Sequence, residues 1–172
     1  MKKLLASLGF LALAGMPAGS PATSVDDLSQ LRMLEKQFET AFNNKDVDAM
    51  MAVYAPGDSL FVFDVVGPPG AELGSDAYRD AWTHFFAMFD GPVHYRINDL
   101  EVTASGDLAY SRSLQHVSGT RKDGKPYDIT ARVTDVYRKI EGKWLIVQEH
   151  ASLAIDRKTF TPILQSSLPP SK

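Results

Sequence analysis

No cysteine occurs among the 172 residues. Disulfides, thiolate metal sites, a cysteine nucleophile and a lipid anchor on an N-terminal cysteine are thereby excluded. Histidine is scarce. His84, His94, His116 and His150 lie ten or more residues apart, with no His-x-His or His-Glu-x-x-His pair to place two ligands on one metal. A glycine-rich phosphate loop is also missing, because Gly67-Pro68-Pro69-Gly70 carries prolines that remove backbone donors from any cradle. No Gly-x-Ser-x-Gly nucleophile elbow occurs, and no apolar run approaches the ~20 residues of a membrane span. An excess of positive charge is absent too. The formal net charge is −3, which gives no electrostatic reason to bind nucleic acid or an anionic membrane. Arg121, Lys122 and Lys125 cluster at a hairpin tip and read as a solvated turn. Chemistry would fall to carboxylates, histidine and tyrosine, with no cofactor expected.

Met1-Lys2-Lys3 opens the chain, Leu4 to Ala14 is uncharged and apolar, and Gly15 to Thr23 is rich in Gly, Pro, Ala and Ser. This is the pattern of a secretory signal peptide over residues 1–22, with cleavage near Ala22 and a second small-residue site at Ala12-Leu13-Ala14. A periplasmic or secreted protein is expected, free of the membrane once the leader is removed. Loss of Lys2 and Lys3 leaves 16 basic residues against 21 acidic ones.

What remains is sized for one domain, here 25–155, followed by a C-terminal tail, 156–172. Leu28, Leu31, Leu34, Phe38 and Phe42 recur at helical spacing, with Ser24 and Asp26-Asp27 suited to the N-terminus. Asn43 to Asp46 breaks the pattern, and Val47 to Tyr54 reads as a short second helix. Leu60 to Val66 is a strand rich in aromatic and β-branched residues. A third helix starts at Ser75, read as its N-cap, and carries Tyr78, Trp82, Phe85 and Phe86 on a face assigned to core packing. Four strands follow as a meander: Tyr95 to Ala104, Leu108 to Gly119, Tyr127 to Ile140 and Lys143 to Ile155. Lys122-Asp123-Gly124-Lys125 and Ile140-Glu141-Gly142-Lys143 supply the tight turns. The expected fold is α+β, three helices packed on one face of a curved, mostly antiparallel sheet.

Alternation along the third meander strand puts Ala131, Val133, Asp135 and Tyr137 on one face and Arg132, Thr134 and Val136 on the other. An acid between Val133 and Tyr137 suggests a pocket; its alternative is an ion pair with Arg112 or Arg132. Asp64, flanked by Phe63, Val65 and Val66, is either an inward-facing general base or the cap of the turn that follows. His150 follows the apolar Trp144 to Val147 and shares a face with Ser152, which makes it a second acid/base candidate. Tyr54, His94, Tyr110, His116, Arg132 and Ser152 are candidate ligand-binding residues of the walls.

Phe38 to Asp48 at the first helix corner, Phe63-Asp64-Val65-Val66-Gly67, Arg132 to Lys139 through Gly142-Lys143-Trp144, and Gln148-Glu149-His150-Ala151-Ser152 together resemble the nuclear transport factor 2-like superfamily. That group includes ketosteroid isomerase, SnoaL-like polyketide cyclases, scytalone dehydratase and the association domain of calcium/calmodulin-dependent kinase II. The resemblance covers residues 25–155 and implies a cone-shaped fold. By the same resemblance Asp64 matches the base of the isomerase and Asp135 its oxyanion acid, whereas Phe38 stands where its oxyanion tyrosine would be and cannot donate a hydrogen bond. Two functions are then expected as alternatives. One is a cofactor-free isomerase, cyclase or dehydratase acting on a small, mostly apolar molecule through Asp64, Asp135 and His150. The other is a non-catalytic module that binds a small molecule or assembles with itself. In either case a homodimer is expected, because both sheet faces carry apolar side chains.

Overall fold

The computed structural model describes residues 25–66, 70 and 72–165, the side chains of Glu72 and Leu73 excepted. The proposed leader and its cleavage sites lie outside the described residues, as does the end of the tail.

Helix α1 (Val25–Asn43) forms where the apolar spacing requires it, and buries Leu31, Leu34, Phe38 and Phe42. Glu35 lies on the same stripe and is buried with them. Near the helix N-terminus, where the dipole favours an anion, Asp27 accepts hydrogen bonds from Lys139 Nζ and from Trp144 Nε1 at 2.9 Å. Lys45 reverses the chain at φ 54°, and Asp46 caps α2 (Val47–Met51), its carboxylate accepting from Ala49 N at 3.0 Å. α2 stops short of Tyr54 because Val53 O and Ala55 N are taken by Ile146 of a strand, at 2.9 and 2.8 Å.

Strand β1 (Phe61–Phe63) is shorter than the run Leu60 to Val66. The Asp64 carboxylate accepts from the backbone N–H groups of Val65 and Val66, which bends the chain away from the sheet. β2 (Glu72–Leu73) pairs with β1. α3 (Ser75–Phe86) is capped by Gly74 at φ 90° rather than by Ser75, whose hydroxyl accepts from Gly57 N at 2.9 Å. The meander is β3 (Val93–Ser105), β4 (Leu108–Thr120), β5 (Pro126–Ile140) and β6 (Lys143–Ser152). Gly124 (φ 77°) and the Glu141-Gly142 pair (φ 50° and 81°) make the turns where the sequence puts them.

The sheet order is β2-β1-β6-β5-β4-β3, antiparallel throughout except that β1 runs parallel to β6. The expected fourth meander strand ends at Ser152. Ala154–Ile155 (β7) turns out to pair with Pro162–Ile163 (β8) in a small hairpin of the tail. On the inner face α1 and α3 pack their aromatic stripes, with Phe42 stacked on Tyr95 at 4.4 Å and edge-on to Trp82 at 5.4 Å. The free edge of β3 is covered by α1. Asn43 Oδ1 accepts from Tyr95 N at 2.8 Å, Asn43 Nδ2 donates to Tyr95 O at 3.0 Å, and Glu39 accepts from Ile97 N at 3.2 Å.

One irregularity decides the site. Val136 pairs with Gln148 but the next residue, Tyr137, pairs with Ile146, so Val147 is an extra residue in β6. Such a bulge reverses the alternation beyond it. Trp144 and Ile146 face the core before the bulge, and Glu149 faces it after.

Candidate functional site

Cross-strand partners share a face, so the register sets Ser111 of β4 beside Asp135 of β5, Asp135 beside Glu149 of β6, and Glu149 beside Val62 of β1. All four are buried, Asp135 to 1% exposure. A row of two carboxyls and a hydroxyl therefore crosses the inner face, and Glu35 of α1 brings a third acid onto it. Tyr137 donates to Glu35 Oε1, and its oxygen lies 2.7 Å from Ser111 Oγ, which in turn donates to Asp135 Oδ2 at 3.4 Å. On the other side, Glu149 accepts from Tyr54 at Oε2 (2.6 Å) and from Tyr78 at Oε1 (2.7 Å).

Removal from water penalises the charged form of each acid. Burial raises Glu35 from 4.5 to about 7, against the stabilising bond from Tyr137 and with a further push from Glu149. Asp135 is lifted well above the ordinary carboxylate range by burial and then by its neighbours Glu35 and Glu149. Glu149 is raised as well, again by burial first, although its two tyrosine bonds oppose the shift. Burial also lifts the phenols of Tyr54, Tyr78, Tyr95 and Tyr137, so all four remain neutral donors.

Glu149 and half-buried Asp64 line a cavity between α3 and the sheet, with about 660 Å3 of empty space including its mouth. Its walls are otherwise apolar or aromatic, with Trp82, Phe85, Tyr95, Tyr127 and Val133 among them, and Gln115 adds one amide. No lysine, arginine or histidine is among the described residues that line it. Nor do the described residues group three His, Asp or Glu side chains in an arrangement that could hold a metal ion.

The sequence-derived candidates separate by face. Asp64 lines the cavity and also caps the turn after β1, so its place at the cavity and its bonds to the turn coexist. Asp135 is buried beside the cavity, and Tyr54 is buried against Glu149. Asp135 has neither arginine as a partner: Arg112 pairs with Glu101 at 2.6 Å and Arg132 donates to Leu153 O at 2.9 Å. Both arginines lie on the outer face. The expected convergence of Asp64, Asp135 and His150 is corrected, because the bulge at Val147 turns His150 outward, where its ring meets Phe63 at 5.6 Å. His150 pairs with Thr134 and Ser152 with Arg132, all on the outer face. Tyr110, His94 and His116 face outward by the same alternation, and His116 Nε2 contacts Asp128 at 2.9 Å. None of these outward residues lines the cavity.

The SnoaL-like domain family matches residues 32–156. The chain belongs to the SnoaL-like family. This SnoaL-like chain is similar to a nuclear transport factor 2-like protein of unknown function from Pseudomonas putida, at 28% identity and TM-score 0.74, with 87% of this chain and all of that one covered. It is also similar in fold to a ketosteroid isomerase-like protein from Erwinia carotovora (23% identity, TM-score 0.62, 74% of this chain and 96% of that one). Among curated proteins it is 27% identical over 121 residues to the delta subunit of calcium/calmodulin-dependent protein kinase type II from Oryctolagus cuniculus, 68% of this chain but only 22% of the kinase. The SnoaL-like chain thus spans about a fifth of the length of that relative.

Reading the sequence missed Glu35, Glu149, Tyr78, Trp82 and Tyr95 as members of the candidate site. A signal for Glu35 existed: it lies one turn from Leu31 and from Phe38, a charge on an apolar stripe. Tyr78 and Trp82 were assigned to core packing, which they also perform. For Glu149 there was none, since nothing in Leu145-Ile146-Val147-Gln148 announces an extra residue.

Proposed function

We propose that this SnoaL-like protein binds a small, mostly apolar molecule in the cavity between α3 and the sheet and moves a proton on it with its own carboxylates. The observation that carries this reading is Glu149, a cavity-lining acid raised by burial, held by two tyrosines and facing apolar walls. An acid whose pKa lies nearer neutrality than usual is suited to both giving and taking protons. Asp64, at the same cavity, is a second carboxyl. An isomerase, cyclase or dehydratase step removes a proton at one atom and delivers one at another, a transfer that one carboxylate can carry alone or two can share. We further propose export from the cytoplasm, on the basis of the leader pattern, and a homodimer built on the outer sheet face.

The test is proton exchange. With cyclohexanone in heavy water, loss of the α-proton signal by NMR should be faster with the wild type than with buffer. Asp64→Asn or Glu149→Gln should slow the enzyme-dependent rate at least tenfold while leaving the far-ultraviolet circular dichroism unchanged. Equal rates in wild type and both variants would remove the acid–base reading.

A second reading, a non-catalytic module that assembles with itself, is favoured by the outer face. Leu108 and Tyr110 are 52% and 50% exposed there, and the similarity to a multidomain kinase subunit is compatible with it.

A further inference from the structure

Two residues that line the cavity each carry a polar atom that the fold leaves without a hydrogen bond. The Tyr95 hydroxyl and the Trp82 indole nitrogen are both buried, and neither has a hydrogen-bond partner among the described residues. Tyr95 is 5% exposed, and both side chains line the cavity that holds Glu149 and Asp64. They come from different elements, β3 and α3, and lie against one ring: Phe38 sits 5.5 Å from Tyr95 and 6.0 Å from Trp82, both edge-on. Phe38 itself offers no polar atom. A buried donor left unmade costs more than most hydrogen bonds contribute, so a pair of such donors at a single cavity is a feature that packing alone does not explain.

An indole N–H can only donate, and a neutral phenol donates as well as accepts. The group that satisfies both is an acceptor oxygen. Among the described residues no acceptor of the fold, the carboxylates of Glu149 and Asp64 included, reaches either donor. We infer that Tyr95 Oη–H and Trp82 Nε1–H form a donor pair for a carbonyl oxygen of the bound molecule, and that the substrate class is accordingly a small apolar ketone or aldehyde. The inference rests on the cavity being the binding site, as proposed above. It adds the polarity and the position of the group recognised. When a proton leaves the carbon beside such a carbonyl, the electron pair of the C–H bond moves to the carbonyl oxygen. The two donors would face the charge that develops there.

Acetophenone labelled with 13C at the carbonyl is a suitable probe, because its stretching frequency falls when the oxygen accepts a hydrogen bond. Bound to the wild type at millimolar concentration, its band should lie below that in hexane. Tyr95→Phe and Trp82→Phe should each weaken binding about three- to tenfold, the effect of one neutral hydrogen bond, and move the band back toward the hexane value. Ethylbenzene, which has the same ring and no acceptor, should bind the wild type and Tyr95→Phe equally. Tyr95→Phe should melt at the same temperature as the wild type or higher, since the hydroxyl it removes has no partner. A hexane-like band in the wild type, equal acetophenone affinity in both variants, or a melting temperature several degrees lower in Tyr95→Phe would each overturn the donor pair and leave the cavity reading standing. Failure of both acetophenone and ethylbenzene to bind would overturn the two together.

Discussion

Asp135 and Glu35 illustrate what a buried acid without a cation does to a fold. Neither has a basic partner within ion-pair distance among the described residues, and both are held by hydroxyls alone. Replacing Asp135 with Asn keeps the shape and removes a charge that is costly to bury. Thermal unfolding at pH 7.5 should therefore show Asp135→Asn to be as stable as the wild type or more so, and a loss of several kcal/mol would reveal a cation partner instead. For Glu35 the sign can be worked out. Its folded-state pKa of about 7 lies above the ordinary 4.5, so the fold holds this proton more tightly than the unfolded chain does. The stability contributed is full below about pH 4.5 and is lost as pH rises toward 7, on the order of 3 kcal/mol for such a shift. Glu35→Gln, which keeps an acceptor for Tyr137, should match the wild type in urea unfolding at pH 4 and exceed it at pH 8. A difference independent of pH would count against the buried-acid account. Asp135 was legible from sequence because β5 alternates regularly up to it. Its lack of an arginine was not, since pairing depends on which face each neighbouring strand presents.

Among the elements, the strands and turns of the meander were readable because glycine after an acidic residue and β-branched runs are local signals. The parallel pairing of β1 with β6 was not, for it joins residues nearly ninety apart. Nor was the bulge, since a period of two carries no mark where it is broken. His150 and Glu149 exchanged places for that reason alone. Element ends were set by tertiary hydrogen bonds: Ile146 shortened α2, and the Asp64 carboxylate shortened β1. The clamp of α1 on the edge of β3 is of the same kind. Asn43 satisfies both backbone groups of Tyr95, and Asn43→Ala would leave a part-buried N–H and C=O unpaired. A loss of about 1–3 kcal/mol in urea unfolding is expected, with faster amide exchange confined to the start of β3. An unchanged exchange rate at Tyr95 would show that water replaces the clamp at no cost.

At the scale of the whole molecule, the sequence and its resemblance supplied the fold class, and the family match agrees with it. The proposed leader and dimer are tested together on protein recovered from an exporting host. Intact mass should show a mature chain beginning between about Gly15 and Val25, as a small-residue cleavage region predicts, and light scattering at micromolar concentration should give twice that mass. A monomer would leave the outer face, with Leu108 and Tyr110, without an occupant.

The interior row of acids also alters how the protein behaves as a charged particle. Composition sets the isoelectric point near 5.8 by counting every carboxyl at its ordinary strength. Glu35, Asp135 and Glu149 hold their protons to higher pH than that count allows. Each proton so retained cancels one negative charge, and the folded protein therefore migrates as a less acidic species than its own denatured chain. Where the pH lies between the unfolded and the folded values, unfolding releases those protons and the denatured chain carries more negative charge than the native one.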